Sequence, residues 1–149
     1  MDEFLRKKIA TVAMDDGDIP PPPASESCTL ENALVSLKAG YNIISVRRAR
    51  TLHISLNYGL WLNLAYKVFE YSKGQGTVTG SWNQWLTTNV GISQSYCRQL
   101  RDLSTKFSQY KNIHYLSISI KELYKIRYEI IHMMNSDKNI AAFWLGTDN

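Results

Sequence analysis

Ser81-Trp82-Asn83-Gln84-Trp85-Leu86-Thr87-Thr88-Asn89-Val90-Gly91-Ile92-Ser93-Gln94-Ser95-Tyr96-Cys97-Arg98-Gln99-Leu100 is the stretch that decides the fold. Ser81 followed by Gln84 fits a capping box, in which the serine oxygen and the glutamine each satisfy a free backbone N–H of the other. A helix over 82–89 follows, with Trp82, Trp85 and Leu86 on its buried side. Asn89-Val90-Gly91 reads as a turn, because glycine supplies a backbone conformation that side chains resist. Ser93 caps a second helix over 94–107, with Cys97, Leu100, Leu103 and Phe107 along one side. Two short helices packed steeply across a tight turn need apolar side chains at fixed offsets from the turn glycine. Leu86, Val90, Ile92, Cys97 and Leu100 occupy those offsets around Gly91, and all five are apolar. Thr87 departs from the pattern: it takes the place of a small residue facing the second helix, where its hydroxyl needs a partner. A helix-turn-helix spanning 82–107 is the expectation.

The outer face of the second helix presents Gln94, Ser95, Arg98, Gln99 and Asp102, concentrated near its N-terminus. In a recognition helix those first turns reach base edges in the major groove. Glutamine pairs with adenine and arginine with guanine. Thr88 and Ser93, beside the free amides of a helix start, suit phosphate contacts. Arg101 and Lys106 extend the basic character along the same helix, and Arg47, Arg48 and Arg50 form a second cluster upstream. Each phosphate contact of this kind releases a counterion and steepens the salt dependence of binding.

Upstream, the spacing predicts a long helix over about 45–71. Leu52, Leu56, Leu60, Leu64 and Val68 form a row four residues apart, with Trp61, Ala65 and Phe69 beside it. Gly59 within it costs up to about 1 kcal/mol relative to alanine, which a close helix–helix contact would justify. A shorter helix begins at Thr29 with Leu30, Ala33, Leu34 and Leu37 on one face, and Gly40 reads as its stop. Residues 11–28 combine an acidic run with Pro20-Pro21-Pro22-Pro23 and hold few large apolar groups, so disorder is expected there. Residues 72–80 read as a glycine-rich loop. Downstream, Ser119 to Glu122 fits another capping box, with Ile118 and Leu123 as a hydrophobic staple. One helix is expected from there to Asn135-Ser136, with Leu123, Ile126, Ile130, Met133 and Met134 on one face. The end of the chain carries Phe143 and Trp144, suited to docking on the body.

Charge is unevenly spread. The net charge is +4, yet residues 1–31 hold seven acids against three bases, so the remainder carries +8. An acidic tail on a basic body is a footprint of polyanion binding. No apolar run reaches the roughly 20 residues of a membrane span, and no secretory signal is evident. Cys28 and Cys97 stand in unlike contexts, and His53, His114 and His132 are scattered, so neither a disulfide framework nor a metal site is expected. An intracellular setting, cytoplasm or nucleus, follows from that reading. There is no phosphate-binding glycine loop, no nucleophile elbow and no paired carboxylate within a helix turn of the body. Cys97 falls on the apolar face of its helix, which suits packing rather than nucleophilic chemistry. The expectation is a non-enzymatic protein without a cofactor.

Gly91-Ile92-Ser93-Gln94-Ser95-Tyr96-Cys97-Arg98-Gln99-Leu100 resembles the recognition region of ParB/KorB-type partition proteins and similar helix-turn-helix regulators. The wider block, roughly 48–125, is similar to a phage- and plasmid-encoded domain family of unknown function with a W-L-x-x-x-x-G-I-S core. Trp85, Leu86, Gly91, Ile92 and Ser93 carry that likeness, and Gln94-Ser95-Tyr96 departs from the family's usual continuation. The resemblance implies a helical DNA-binding module of mobile elements, with no catalytic residue. The expected architecture is therefore all-α: a disordered acidic, proline-rich tail over 1–28 and a small helical domain over 29–149. The expected partner is double-stranded DNA, bound by a homodimer on paired half-sites. The alternative is a helical adaptor in a larger complex that keeps the shape without DNA. Such an adaptor would expose an apolar patch around Tyr96, Met133 or Trp144.

Overall fold

A computed structural model describes residues 3–8, 19–46 and 52–147. Their regular elements are all helices, with no strand among the described residues. The helices are α1 (Glu3–Lys8), α2 (Leu30–Val46), α3 (Leu52–Gly74), α4 (Trp82–Asn89), α5 (Gln94–Phe107), α6 (Ile120–Lys125), α7 (Arg127–Met134) and α8 (Lys138–Leu145). No helix among them is long and apolar enough to cross a membrane.

The centre of the fold is α3, which is buried on more than one side. Leu52, Ile54, Leu56, Tyr58, Leu62, Leu64, Ala65 and Phe69 are all within the core. Such all-round burial requires neighbours on several faces, and two glycines permit them. A Cβ at Gly59 would lie 2.4 Å from the Leu100 carbonyl oxygen and 2.8 Å from Ser104 Cβ, so α3 and α5 cross there backbone to backbone. The close contact expected from Gly59 is thus present. At the other crossing, a Cβ at Gly40 would lie 2.6 Å from the Tyr58 ring. The Tyr58 hydroxyl donates to the Leu37 carbonyl at 2.9 Å and closes the same contact. Gly40 therefore does not stop α2, which runs on to Val46. The long helix expected from about 45 begins at Leu52 instead.

Of the expected tail, residues 9–18 lie outside the described residues, while the described stretches 3–8 and 19–28 pack against the body. Leu5 is fully buried, and the Ser117 amide donates to the Lys8 carbonyl. Ile19 is only 4% exposed. Asn57 and Trp61 on α3 donate to the carbonyls of Ile19 and Pro20. Two apolar side chains and a few backbone acceptors suffice to anchor a segment whose composition is otherwise polar.

The C-terminal third also differs in detail. Ser119 caps α6 by accepting from the Glu122 amide. The helix expected to continue through Ile126 breaks there, at φ −116° and ψ 27°. Arg127 directly follows the break and bridges it to α5. Its guanidinium donates to the Tyr124 carbonyl, an acceptor left free by the break, and its Nε lies 3.0 Å from Asp102 Oδ2 on α5. That contact is an ion pair between buried atoms without hydrogen-bond alignment. Asp137 caps α8 through the Ile140 amide, and Gly146 closes it at φ 75°. Trp144 is fully buried, and Asn112 binds α8's last turn, donating from its side chain to the Phe143 carbonyl at 2.7 Å.

Candidate nucleic-acid interface

The two helices quoted at the outset form with the expected limits. Ser81 accepts from the Gln84 amide at 3.1 Å while Gln84 Oε1 accepts from the Ser81 amide, so the capping box closes. The turn comes from Gly91 at φ 91°, whose amide donates to the Leu86 carbonyl at 3.2 Å. No atom crowds a Cβ at Gly91, so conformation alone requires glycine there. Ser93 then caps α5 by accepting from the Tyr96 amide. Leu86, Ile92, Cys97 and Leu100 are buried and Val90 is half-buried, as the apolar offsets required. Thr87 is exposed rather than turned onto α5, so its hydroxyl has water for a partner.

The faces of α5 separate cleanly. Cys97, Leu100, Leu103, Ser104 and Phe107 are buried against the body. Gln94, Ser95 and Arg98 are exposed, as are Thr88 and Ser93 at the turn, while Gln99 is half-buried. Arg98 makes no hydrogen bond or ion pair among the described residues. Arg101 behaves differently. Its Nε donates to Asn63 Oδ1 at 2.7 Å, and its guanidinium lies 4.3 Å from the Tyr66 ring centre and 5.9 Å from that of Trp82. The Asn63 amide in turn donates to Ser104 Oγ and Thr105 Oγ1, each at 3.2 Å. Arg101 is thus turned against α3 as a packing residue rather than held out along the helix. Lys106 is likewise engaged, 2.5 Å from Asp102. Arg47, Arg48 and Arg50 lie outside the described residues.

Asn63, Trp82, Asn83, Gln94, Arg98 and Arg101 line a polar groove of about 340 Å³. Asn63 and Asn83 were not singled out in the sequence. Their type gives no signal without knowledge of which faces of α3, α4 and α5 meet. Asp102 also borders the groove, but Lys106 and Arg127 neutralise it. Of the residues expected to form an apolar patch, Trp144 is fully buried, and Tyr96 and Met133 are half-buried. The His53 and His114 rings meet edge to face at 6.0 Å, and no group of three metal-ligating side chains occurs among the described residues.

Burial pushes the Cys97 thiol up from 9.0 to about 11, against the pull of Arg101, a hydrogen bond with Trp82, and Arg98. The native state therefore keeps a proton that the unfolded chain releases between about pH 9 and pH 11. Stability from this group is complete below that window and falls as pH rises through it. Burial raises the Tyr58 hydroxyl as well, which extends the loss to higher pH. Denaturant melts across this range should show the decline, and it should lessen in Cys97→Ala. In thiol labelling at neutral pH, Cys28 should react first and Cys97 only on unfolding. Equal labelling rates would refute the assigned burial.

Compared with protein families, curated proteins and solved structures, the chain matches none.

Proposed function

We propose that this chain is a non-enzymatic protein that binds duplex DNA, with α5 as the helix entering the major groove. The observation that carries this reading is the division of α5. One face is sealed against α3, and the first two turns of the other present Gln94, Ser95 and Arg98 to solvent directly after a tight glycine turn. Hydrogen-bonding side chains at the start of a helix following such a turn are what base readout needs. Thr88 and Ser93 stand at the turn, where backbone phosphates pass. The resemblance of this block to helix-turn-helix proteins of phage and plasmid type supports the same reading. Arg101 serves the interface indirectly by holding α5 on α3.

The test is fluorescence anisotropy of labelled duplex DNA at several salt concentrations, beside the double variant Gln94→Ala/Arg98→Ala. Wild-type binding should weaken steeply with salt. The variant should lose roughly tenfold or more in affinity, since one bidentate base contact is worth about 1–3 kcal/mol of discrimination. Arg101→Lys should lower thermal stability before it lowers affinity. Failure of the folded wild-type chain to bind any duplex at low salt would overturn the proposal.

A further inference from the structure

Two side chains on successive turns of α3 hold an extended stretch of the chain's own N-terminal region. Asn57 Nδ2 donates to the Ile19 carbonyl at 2.8 Å, and Trp61 Nε1 donates to the Pro20 carbonyl at 2.7 Å. Residues four apart on a helix lie one above the other, so this pair reads two consecutive carbonyls. Ile19 fills the space beside them. Its Cδ1 comes within 3.6 Å of where a Cβ on Gly40 would sit, so the missing side chain at Gly40 helps to shape the seat. Residues 19–24 are not helical, and Ala24 sits at φ −61° and ψ 147°, the polyproline II region. An indole N–H on a free carbonyl, with an apolar side chain seated beside it, is how aromatic grooves take polyproline II peptides.

The strap is lightly held. Pro20, Pro21 and Pro23 are exposed. Among the described residues, no backbone hydrogen bond joins 19–24 to α2 or α3. A cavity of about 130 Å³ remains beside it, bordered by Ile19, Pro20, Ala39, Gly40, Ile43 and Trp61. A segment fixed by buried Ile19, half-buried Pro22 and two side-chain hydrogen bonds opens more readily than the core it covers.

We infer that the α2–α3 face bearing Gly40, Asn57 and Trp61 is a docking groove for extended Ile-Pro segments. It is filled in cis by residues 19–23 and open to a proline-rich segment of another protein when that strap lifts. The occupant already seated defines the partner's chemistry: an isoleucine followed by proline, with the two carbonyls free to accept. Tethering gives the strap a high effective concentration, so a partner competes poorly until the strap is weakened. This inference is independent of DNA binding by α5.

The test follows the Trp61 indole N–H by NMR in the full-length chain and in Ile19→Ser. The Ile19→Ser variant should move the Trp61 signal. A peptide with the sequence of residues 19–25 should return it saturably, and the same peptide with serine for isoleucine should not. The wild type should bind the peptide at least roughly tenfold more weakly than the variant. In wild-type protein the Trp61 indole hydrogen should exchange with solvent faster than the Leu62 and Leu64 amides of α3. A Trp61 signal unmoved by Ile19→Ser, or moved and not restored by peptide, overturns the inference. If the variant does not fold, indole exchange only on global unfolding overturns it. Concentration-dependent dimerisation of the wild type with strap exchange between copies would make a second copy the occupant and overturn the partner proposed here.

Discussion

Gly59→Ala should cost about 3 kcal/mol, at the upper end of what overpacking imposes, and lower the melting temperature by roughly 6–12 °C. In an open helix the same change would stabilise by up to about 1 kcal/mol. The sign reverses because the new methyl would sit 2.4 Å from the Leu100 carbonyl oxygen. That oxygen belongs to the backbone of α5, so it cannot swing aside as a side-chain tip would. Relief requires α5 to shift bodily away from α3, which also breaks the Asn63 bonds to Arg101, Ser104 and Thr105. Gly74→Ala is the matched control. It closes the same helix with open space around the new Cβ, so it should be neutral or slightly stabilising. Thermal melts of the two variants would separate them, and a Gly59→Ala melt at or above wild type would refute the close crossing.

Trp144→Ala should cost about 3–5 kcal/mol, the range for emptying a large aromatic site. That is a large share of a typical domain's 5–15 kcal/mol. Trp144 is fully buried and is the main anchor of α8. The Asn112 bonds to the Phe143 and Trp144 carbonyls depend on its staying seated. Limited proteolysis should then cut within 138–147 well before the α3–α5 core. Trp144→Phe should cost clearly less, because the indole N–H is buried with no hydrogen-bond partner among the described residues. A Trp144→Ala loss below about 1 kcal/mol would refute the anchoring role.

The α4–turn–α5 unit was legible because its signals are local. Ser81 with Gln84, Gly91 and Ser93 each act within three to five residues, and the structure uses each as read. Gly40 was not legible as a crossing, since its reason is the Tyr58 ring on the next helix. The order at Ile19 was hidden for the same cause: its anchors, Asn57 and Trp61, lie far along the chain. Arg101 and Lys106 illustrate the limit of charge as a guide. Residue type suggested free cations, yet Arg101 lies on Tyr66 and Lys106 pairs with Asp102. The break at Ile126 is accompanied by Arg127 reaching Asp102, a partner no local pattern announces. Within the candidate interface, Gln94, Ser95 and Arg98 were readable because exposure follows from helical period alone.

The two-faced character of α5 has a consequence for how such a chain diverges. Gln94, Ser95 and Arg98 are exposed, so substitutions there leave the fold's stability nearly untouched. Gly40 and Gly59 have no such freedom, because every alternative there collides with a neighbouring helix. Descendants of this sequence are therefore free to vary the exposed first turns of α5 one residue at a time, while the glycine crossings that hold the helix in place stay fixed.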